Sequence, residues 1–297
     1  MQSCINILKL VKKYILFFFG LIKYSLVSTN RKTQYEVDYK KIKFFLLNGV
    51  NFAFVRFSDG ELFMMKDYKI QITKTNAFLG KKKLGSANFT KEEVKTYDPE
   101  KHQYYREKLF ESFFFDKENY FKGIACTCCN GKREYKYMLE LAKKKRINLG
   151  RLTFSNLFTN GNYNKFIKDF IKILKNKKNI LIVSKYADLT DVPFEITKKF
   201  TVGENCMVND YGLIKKVLKY VETNQIKNHI FLMSSATLSN FLIHELYKKY
   251  PENTYIDIGS TLNPIFKMKG WIGSRRYLQE HWLKEKPILT LNKNCYW

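Results

Sequence analysis

An α/β fold, with a Rossmann-like, mostly parallel sheet and helices on both of its faces, is what this sequence predicts. Three observations carry the prediction. From about residue 120 onward, short apolar runs alternate with segments of helical period, the pattern of parallel strands joined by right-handed helical crossovers. Upstream, Asn51 to Glu61 reads Asn-Phe-Ala-Phe-Val-Arg-Phe-Ser-Asp-Gly-Glu, a buried-strand pattern that stops at two carboxylates one residue apart. The chain of 297 residues is 45% hydrophobic and 16% aromatic, enough to bury a large core and to exclude disorder as its default state.

In chain order, residues 5–28 are apolar but interrupted by Lys9, Lys12, Lys13 and Lys23. The unbroken stretch from Tyr14 to Ile22 is far shorter than the roughly 20 residues a spanning helix needs, and no convincing small-residue cleavage site follows it. A basic amphipathic helix lying in the headgroup region of an anionic membrane fits this pattern. A helix packing its apolar side on the rest of the protein fits it equally. With the polar stretch Ser28 to Thr33 behind it, this segment is expected to form an N-terminal unit over 1–30, ahead of a single domain over 31–297.

Val37, Ile42, Phe45 and Leu46 recur at helical spacing until Asn48-Gly49 stops them, which predicts a helix over 36–47. The strand over 52–57 follows, Ser58-Asp59-Gly60 supplies turn chemistry, and a short helix opens at Glu61. Residues 71–98 lack a regular period and carry Gly80, Lys81 to Lys83, Gly85 and Asn88. They predict a mobile basic loop, either a cover that closes over a diphosphate or a solvated run of charge. A helix is expected over 99–118, starting at Pro99 after Asp98. Strands then follow at 121–127, 152–155, 179–184, 199–202, 229–234 and 254–258. Helices are expected between them at 132–145, 163–176, 208–223 and 238–250. No period of 20 to 50 residues repeats, which excludes a solenoid.

The formal charge of +26 would ordinarily point to an anionic partner. Only eight of the 53 basic residues are arginine, however, and lysines are spread through every segment. That distribution matches Lys-, Asn- and Ile-rich residue usage as well as it matches selection for an anion, and no nucleic-acid recognition motif accompanies it. Six cysteines at 4, 126, 128, 129, 206 and 295 form no paired Cys-x-x-Cys clusters, so reduced, buried thiols in a cytoplasmic protein are expected rather than a zinc site.

Two carboxylates at i and i+2 around a glycine, Asp59 and Glu61, can both address one hard cation because Gly60 lets the backbone bend tightly. Magnesium or manganese held this way keeps open positions for phosphate oxygens. The same residues also suit the first turn of a helix, whose positive end favours acids. Downstream, Ser234, Ser235 and Thr237 open a helix with hydroxyls and free backbone N–H groups, a ready anion site or a plain N-cap. Asp257 and Gly259, with Ser260 beyond, end the strand Tyr255-Ile-Asp-Ile-Gly. Asn156 to Asn162 is a third polar strand end, suited to sugar hydroxyls or to turn formation. Arg275 or Arg276 suits a phosphate fork.

Taken whole, Arg56-Phe57-Ser58-Asp59-Gly60-Glu61 at the end of an apolar strand resembles the Arg-Phe-Gly-Asp-Gly-Glu signature of the GT-D-fold glycosyltransferases. Ser58 replaces that signature's first glycine. Tyr255 to Ser260 is similar to an Asp-Ile-Gly segment near the family's C-terminal end, and Ala236-Thr237 stands where relatives often carry a Gly-Pro turn. The resemblance implies a GT-D type sheet with Asp59 and Glu61 serving Mn2+ or Mg2+. It implies nucleotide-sugar contacts at Arg56, Ser58, Gly60, Ser234, Ser235, Thr237, Gly259 and Ser260, with Asp257 as base or ribose contact. The implied reaction moves a hexose from a UDP-glucose-like donor to a glycan acceptor, lipid-linked or protein-linked, in surface polysaccharide or glycoprotein glycan synthesis. The place implied is the cytoplasm, peripheral on the inner membrane face if residues 5–28 bind lipid.

Two other classes compete. A metal-dependent phosphatase or nucleotidyl hydrolase would use the same carboxylates, but no second carboxylate or histidine cluster for a second metal is apparent in the sequence. A non-enzymatic membrane-surface or nucleic-acid binding protein would use the charge directly, without a readable recognition motif.

Overall fold

The structure, a computed structural model, describes residues 34–73, 76–86, 94–126, 131–159 and 162–268. The helix expected over 5–28, its linker, Cys128, Cys129 and the Arg275-Arg276-Tyr277 stretch lie outside these residues. No helix among the described residues is long and apolar enough to cross a membrane.

After helix α1 over 34–47, strand β1 (Ala53–Arg56) runs into helix α2 (Asp59–Met65). Four short strands follow, β2 (Ile70–Ile72), β3 (Asn76–Leu79), β4 (Lys82–Ser86) and β5 (Lys95–Tyr97), and then α3 (Gln103–Phe114). The alternating part comprises β6 (Tyr120–Ile124), α4 (Lys132–Lys144), β7 (Leu152–Phe154), α5 (Tyr163–Lys165), a π turn over Phe166–Phe170, α6 (Ile171–Lys175) and β8 (Asn179–Ser184). It continues through β9 (Ile196–Val202), α7 (Cys206–Asn209), α8 (Leu213–Thr223), β10 (Ile230–Met233), α9 (Thr237–Lys249) and β11 (Thr254–Asp257).

Seven strands form one sheet in the order β7-β6-β1-β11-β10-β8-β9, and every pair in it is parallel. The side-chain period of two along β1 splits the core between its faces. Phe52 and Phe54 pack with Tyr35, Tyr39, Ile42 and Leu46 of α1 and with Phe166 and Phe170. Ala53 and Val55 face the opposite way, towards Leu109 and Phe113 of α3, Met138 of α4, Val217 of α8 and Phe241 of α9. The expected α/β class with helices on both faces is therefore present.

Three local expectations differ from the structure. Residues 71–98 are not one irregular loop: their described part holds most of a four-stranded antiparallel sheet, ordered β4-β3-β2-β5. Its strands are three to five residues long, too short for a period of two to stand out. Gly80 at φ +58° starts the two-residue turn that pairs Leu79 with Lys82, the position where such hairpins favour glycine. The helix expected over 208–223 is broken, because Asp210 turns back to accept the Gly203 N–H at 2.8 Å and α8 restarts at Leu213. The helix expected from Pro99 begins at Gln103, the intervening turn being closed by the His102 N–H bonding the Asp98 carbonyl at 2.8 Å.

Candidate functional site

Strands β1, β11 and β10 are neighbours in the large sheet, so the three sequence stretches that follow them meet at one C-terminal edge. That edge is where open parallel sheets receive ligands. Parallel pairing aligns Phe54 with Ile256 and Met233 with Asp257, which brings Arg56 to Glu61, Asp257 to Ser260 and Ser234 to Thr237 together across some 200 residues of chain.

Ser58 is the N-cap of α2, and its backbone N–H donates to Glu61 Oε2 at 3.1 Å. The other oxygen, Glu61 Oε1, accepts from the Thr237 hydroxyl at 2.8 Å. Glu61 is only 7% exposed; it closes its own helix and ties it to the start of α9. Asp59 is exposed, with one oxygen taking the Gly60 N–H at 3.0 Å. The two carboxylates of the turn thus have different surroundings, one open to solvent and one anchored.

Asp257 is 5% exposed. Its Oδ1 accepts the Gly259 N–H at 2.9 Å and lies 3.8 Å from Arg56 Nη1. Burial pushes its carboxyl up to about 7, Glu61 adding to the rise and Arg56 opposing it. A carboxyl with that value exchanges protons at neutral pH, as a general base must. Arg56 is also committed elsewhere, since its Nε donates to the Ser155 carbonyl and Asn240 Nδ2 holds its backbone carbonyl at 2.8 Å. Gly259 is at φ +48°, and a Cβ there would lie 1.4 Å from Arg56 Nη1. The glycine of the Asp-Ile-Gly stretch therefore makes room for the guanidinium that pairs with the aspartate.

At the third stretch, Ser235 is buried and spent internally: its hydroxyl pairs with Ser239 Oγ at 2.9 Å, and its carbonyl accepts from Cys206 Sγ at 3.1 Å. The Ser234 N–H continues the sheet to the Ile182 carbonyl at 2.8 Å. Ala236 adopts φ +46° and ψ −141°, a conformation at home to glycine and strained for any side chain. Ser260 is partly exposed, and its carbonyl takes the Asn263 N–H at 3.2 Å. In the described part of the 156–162 stretch, Asn156 and Asn162 are turned into the fold. Asn156 Oδ1 accepts from the Tyr35 hydroxyl, and Asn162 Nδ2 donates to the Tyr35 and Leu157 carbonyls at 3.0 and 3.1 Å.

Asp59 and Glu61 keep donor atoms free for a metal ion. Asp59 keeps one carboxylate oxygen without a partner among the described residues, and each Glu61 oxygen takes only one hydrogen bond. A carboxylate offers about four acceptor sites, so the pair retains capacity for a hard cation that takes one or two carboxylates and keeps several waters. A separate group, Glu111, His244 and Glu245, places three ligand atoms within 4.8 Å of one another between α3 and α9. Lys108 already pairs with Glu111 at 2.7 Å there, and His244 lies two turns along α9 from Thr237.

One residue of this edge carries no signal in the sequence. Lys95, on β5 of the small sheet, places its Nζ 3.0 Å from where a Cβ on Gly60 would stand. It sits among 45 lysines, and nothing local distinguishes it.

No protein-family model matches the chain, and no curated protein matches it. Among solved structures, two similar ones each cover 74% of this chain and 76% of their own. One is described as a selenomethionine-substituted structure of domain of unknown function 1792, at 13% identity and a TM-score of 0.45. The other carries the description that the highly conserved domain of unknown function 1792 has a distinct glycosyltransferase fold, at 12% identity and a TM-score of 0.44. These are loose likenesses of fold.

Proposed function

We propose that this chain is a metal-dependent glycosyltransferase that moves a hexose from a nucleotide diphosphate sugar, a UDP-sugar in the first instance, to a glycan acceptor. The observation that carries the reading is the convergence at one sheet edge of an exposed carboxylate, Asp59, and an anchored one, Glu61, beside Asp257, whose carboxyl titrates near neutrality.

In this reading Asp59 and Glu61 hold Mn2+ or Mg2+, which when bound offsets the charge of the departing diphosphate. The bond between the anomeric carbon and the diphosphate oxygen breaks, its electron pair leaving with the diphosphate. The acceptor hydroxyl oxygen bonds to the anomeric carbon and gives its proton to the Asp257 carboxylate. Arg56 holds that carboxylate in place and keeps a share of it ionised at neutral pH. Thr237 fixes Glu61 and so the angle at which the turn meets the substrate. Ser58, Gly60, Ser234, Gly259 and Ser260 line the edge beside these groups. The acceptor is a lipid-linked or protein-linked glycan, and residues 5–28 hold the protein at the inner face of an anionic membrane.

The test is a panel of nucleotide sugars incubated with glycan acceptors, with Mn2+ and with chelator. Expected is one donor converted to nucleoside diphosphate, with the sugar on the acceptor, only when the cation is present. Release of free sugar or inorganic phosphate without a glycosylated acceptor would make the site a hydrolase instead.

A further inference from the structure

If the site takes a nucleotide diphosphate sugar, as proposed above, a protein cation beside the metal would complement the diphosphate's charge, and among the described residues the arginine at the sheet edge is engaged. Arg56 is bound to Asp257 and to the Ser155 carbonyl, and its guanidinium rests on Gly259. Lys95 is differently placed. Its ammonium stands beside Gly60, the residue that separates Asp59 from Glu61 in the chain, and makes neither an ion pair nor a hydrogen bond among the described residues.

Its position is built rather than incidental. Strand β5 pairs with β2, Lys95 opposite Ile72. On its other side, Asn205 clamps the residues before and after Lys95: the Asn205 N–H donates to the Val94 carbonyl, its Oδ1 accepts the Thr96 N–H, and its Nδ2 donates to Thr96 Oγ1, each at 3.2 Å. Asn205 itself is in the left-handed region, φ +48°, which an asparagine tolerates better than most residues. Gly60, Lys95, Ala236 and Thr237 line one narrow crevice of about 50 Å3. A space of that size holds a few waters and is too small to enclose a diphosphate, which would lie outside it beside the ammonium.

We propose that Lys95 is the residue that binds the diphosphate of the donor, so that the small sheet serves to deliver one cation to the carboxylate turn of the large one. Its ammonium pairs with the oxygens on which charge accumulates as the bond to the anomeric carbon breaks, and it transfers no proton. A cation fixed there also lets an anion approach Asp59 and Glu61 without meeting their charge unopposed. Lysine suits this as a compact point charge on a flexible stem, and losing one such charge-assisted contact is expected to cost about tenfold or more in affinity.

The experiment uses the full chain as wild type, Lys95→Met and Lys95→Arg, with Mn2+ present. Methionine preserves most of the apolar stem, and thermal unfolding of each variant checks the fold. Binding of inorganic pyrophosphate, and of a panel of nucleoside diphosphates beside their monophosphates, is measured by calorimetry. Expected is a diphosphate that binds wild type at least tenfold more tightly than its monophosphate, a ratio that falls towards one in Lys95→Met and is largely restored in Lys95→Arg. A folded Lys95→Met with the wild-type ratio overturns the role of Lys95 and leaves the glycosyltransferase reading standing. Lys95-dependent binding of pyrophosphate alone, with no nucleotide bound, supports the anion site and overturns the nucleotide-sugar reading. Binding of neither ligand by wild type overturns both.

Discussion

Replacing Gly259 by alanine probes the pairing of Arg56 with Asp257 through a single methyl group. The added Cβ would lie 1.4 Å from Arg56 Nη1 and 2.6 Å from its Cζ, so the guanidinium must leave. The backbone at φ +48° costs about 1 kcal/mol for a residue with a side chain. Breaking a buried ion pair costs about 3–5 kcal/mol when the remaining charge stays charged, but Asp257 can take up a proton instead. The net loss is therefore expected at roughly 2–4 kcal/mol near neutrality, with a pH dependence that identifies its cause. An acid whose folded value is about 7, against 3.8 as its ordinary value, binds more protons folded than unfolded between those limits. Its contribution to stability is complete below about pH 4, declines as pH rises towards 7, and is exhausted above it. Displacing Arg56, which holds the folded value down, extends the decline above pH 7, where the wild type no longer changes on this account. The difference between variant and wild type should then grow by up to about 1.4 kcal/mol per pH unit there. Urea unfolding of both proteins at pH 6, 7 and 8.5 measures it. Adding Arg56→Ala removes the clashing group, so Gly259→Ala should cost less on that background than alone. A penalty equal at pH 6 and 8.5, or additive with Arg56→Ala, would refute the coupling.

Asp59→Asn should leave thermal stability within about 0.5 kcal/mol of wild type, as exposed substitutions do, while reducing cation-dependent transfer on the order of a hundredfold; wild-type turnover would reduce the turn to a helix start. Glu61→Ala should lower stability as well, by about 1–2 kcal/mol, because the cap and the acceptor for Thr237 both go, and denaturant midpoints separate the two variants. Ala236→Gly should stabilise the protein by about 1 kcal/mol by relieving the strain at φ +46°, read as a higher urea midpoint. Deleting residues 1–28 should release the protein from anionic liposomes in a flotation assay and leave transfer to a soluble acceptor intact; liposome binding that survives the deletion would place the lipid contact elsewhere.

Much of the fold is legible in the sequence because its signals are local. The strand over 52–57 and most of the later strands lie where apolar runs indicate, since burial on both faces of a parallel sheet demands continuous runs. The turn after that strand is likewise readable from Ser58, Asp59 and Gly60, though the helix begins at Asp59 rather than Glu61, with Ser58 as its cap. The small sheet escapes such reading because strands of three to five residues offer no period to detect. The break before α8 escapes it because Asp210 answers to Gly203 across a turn rather than to its own helix.

By itself, then, the sequence determined an α/β chain with alternating elements, a carboxylate turn behind an apolar strand, and three further polar strand ends, of which those at Ser234 and Asp257 concern the site. Only the tertiary structure decided that these two adjoin the carboxylate turn, because strand order is set by packing of whole layers and leaves no trace in any short window. The same layering divided the roles of similar residues: Glu61 became an anchored carboxylate through Thr237, and Asp59 stayed open to solvent. Gly259 became the seat of Arg56, and one lysine among many was carried by an antiparallel sheet to the edge of a parallel one. Contacts between residues 35 to 200 positions apart depend on where the backbone runs, and a lysine's chemistry is the same wherever it sits until a neighbouring charge or its absence gives it a task.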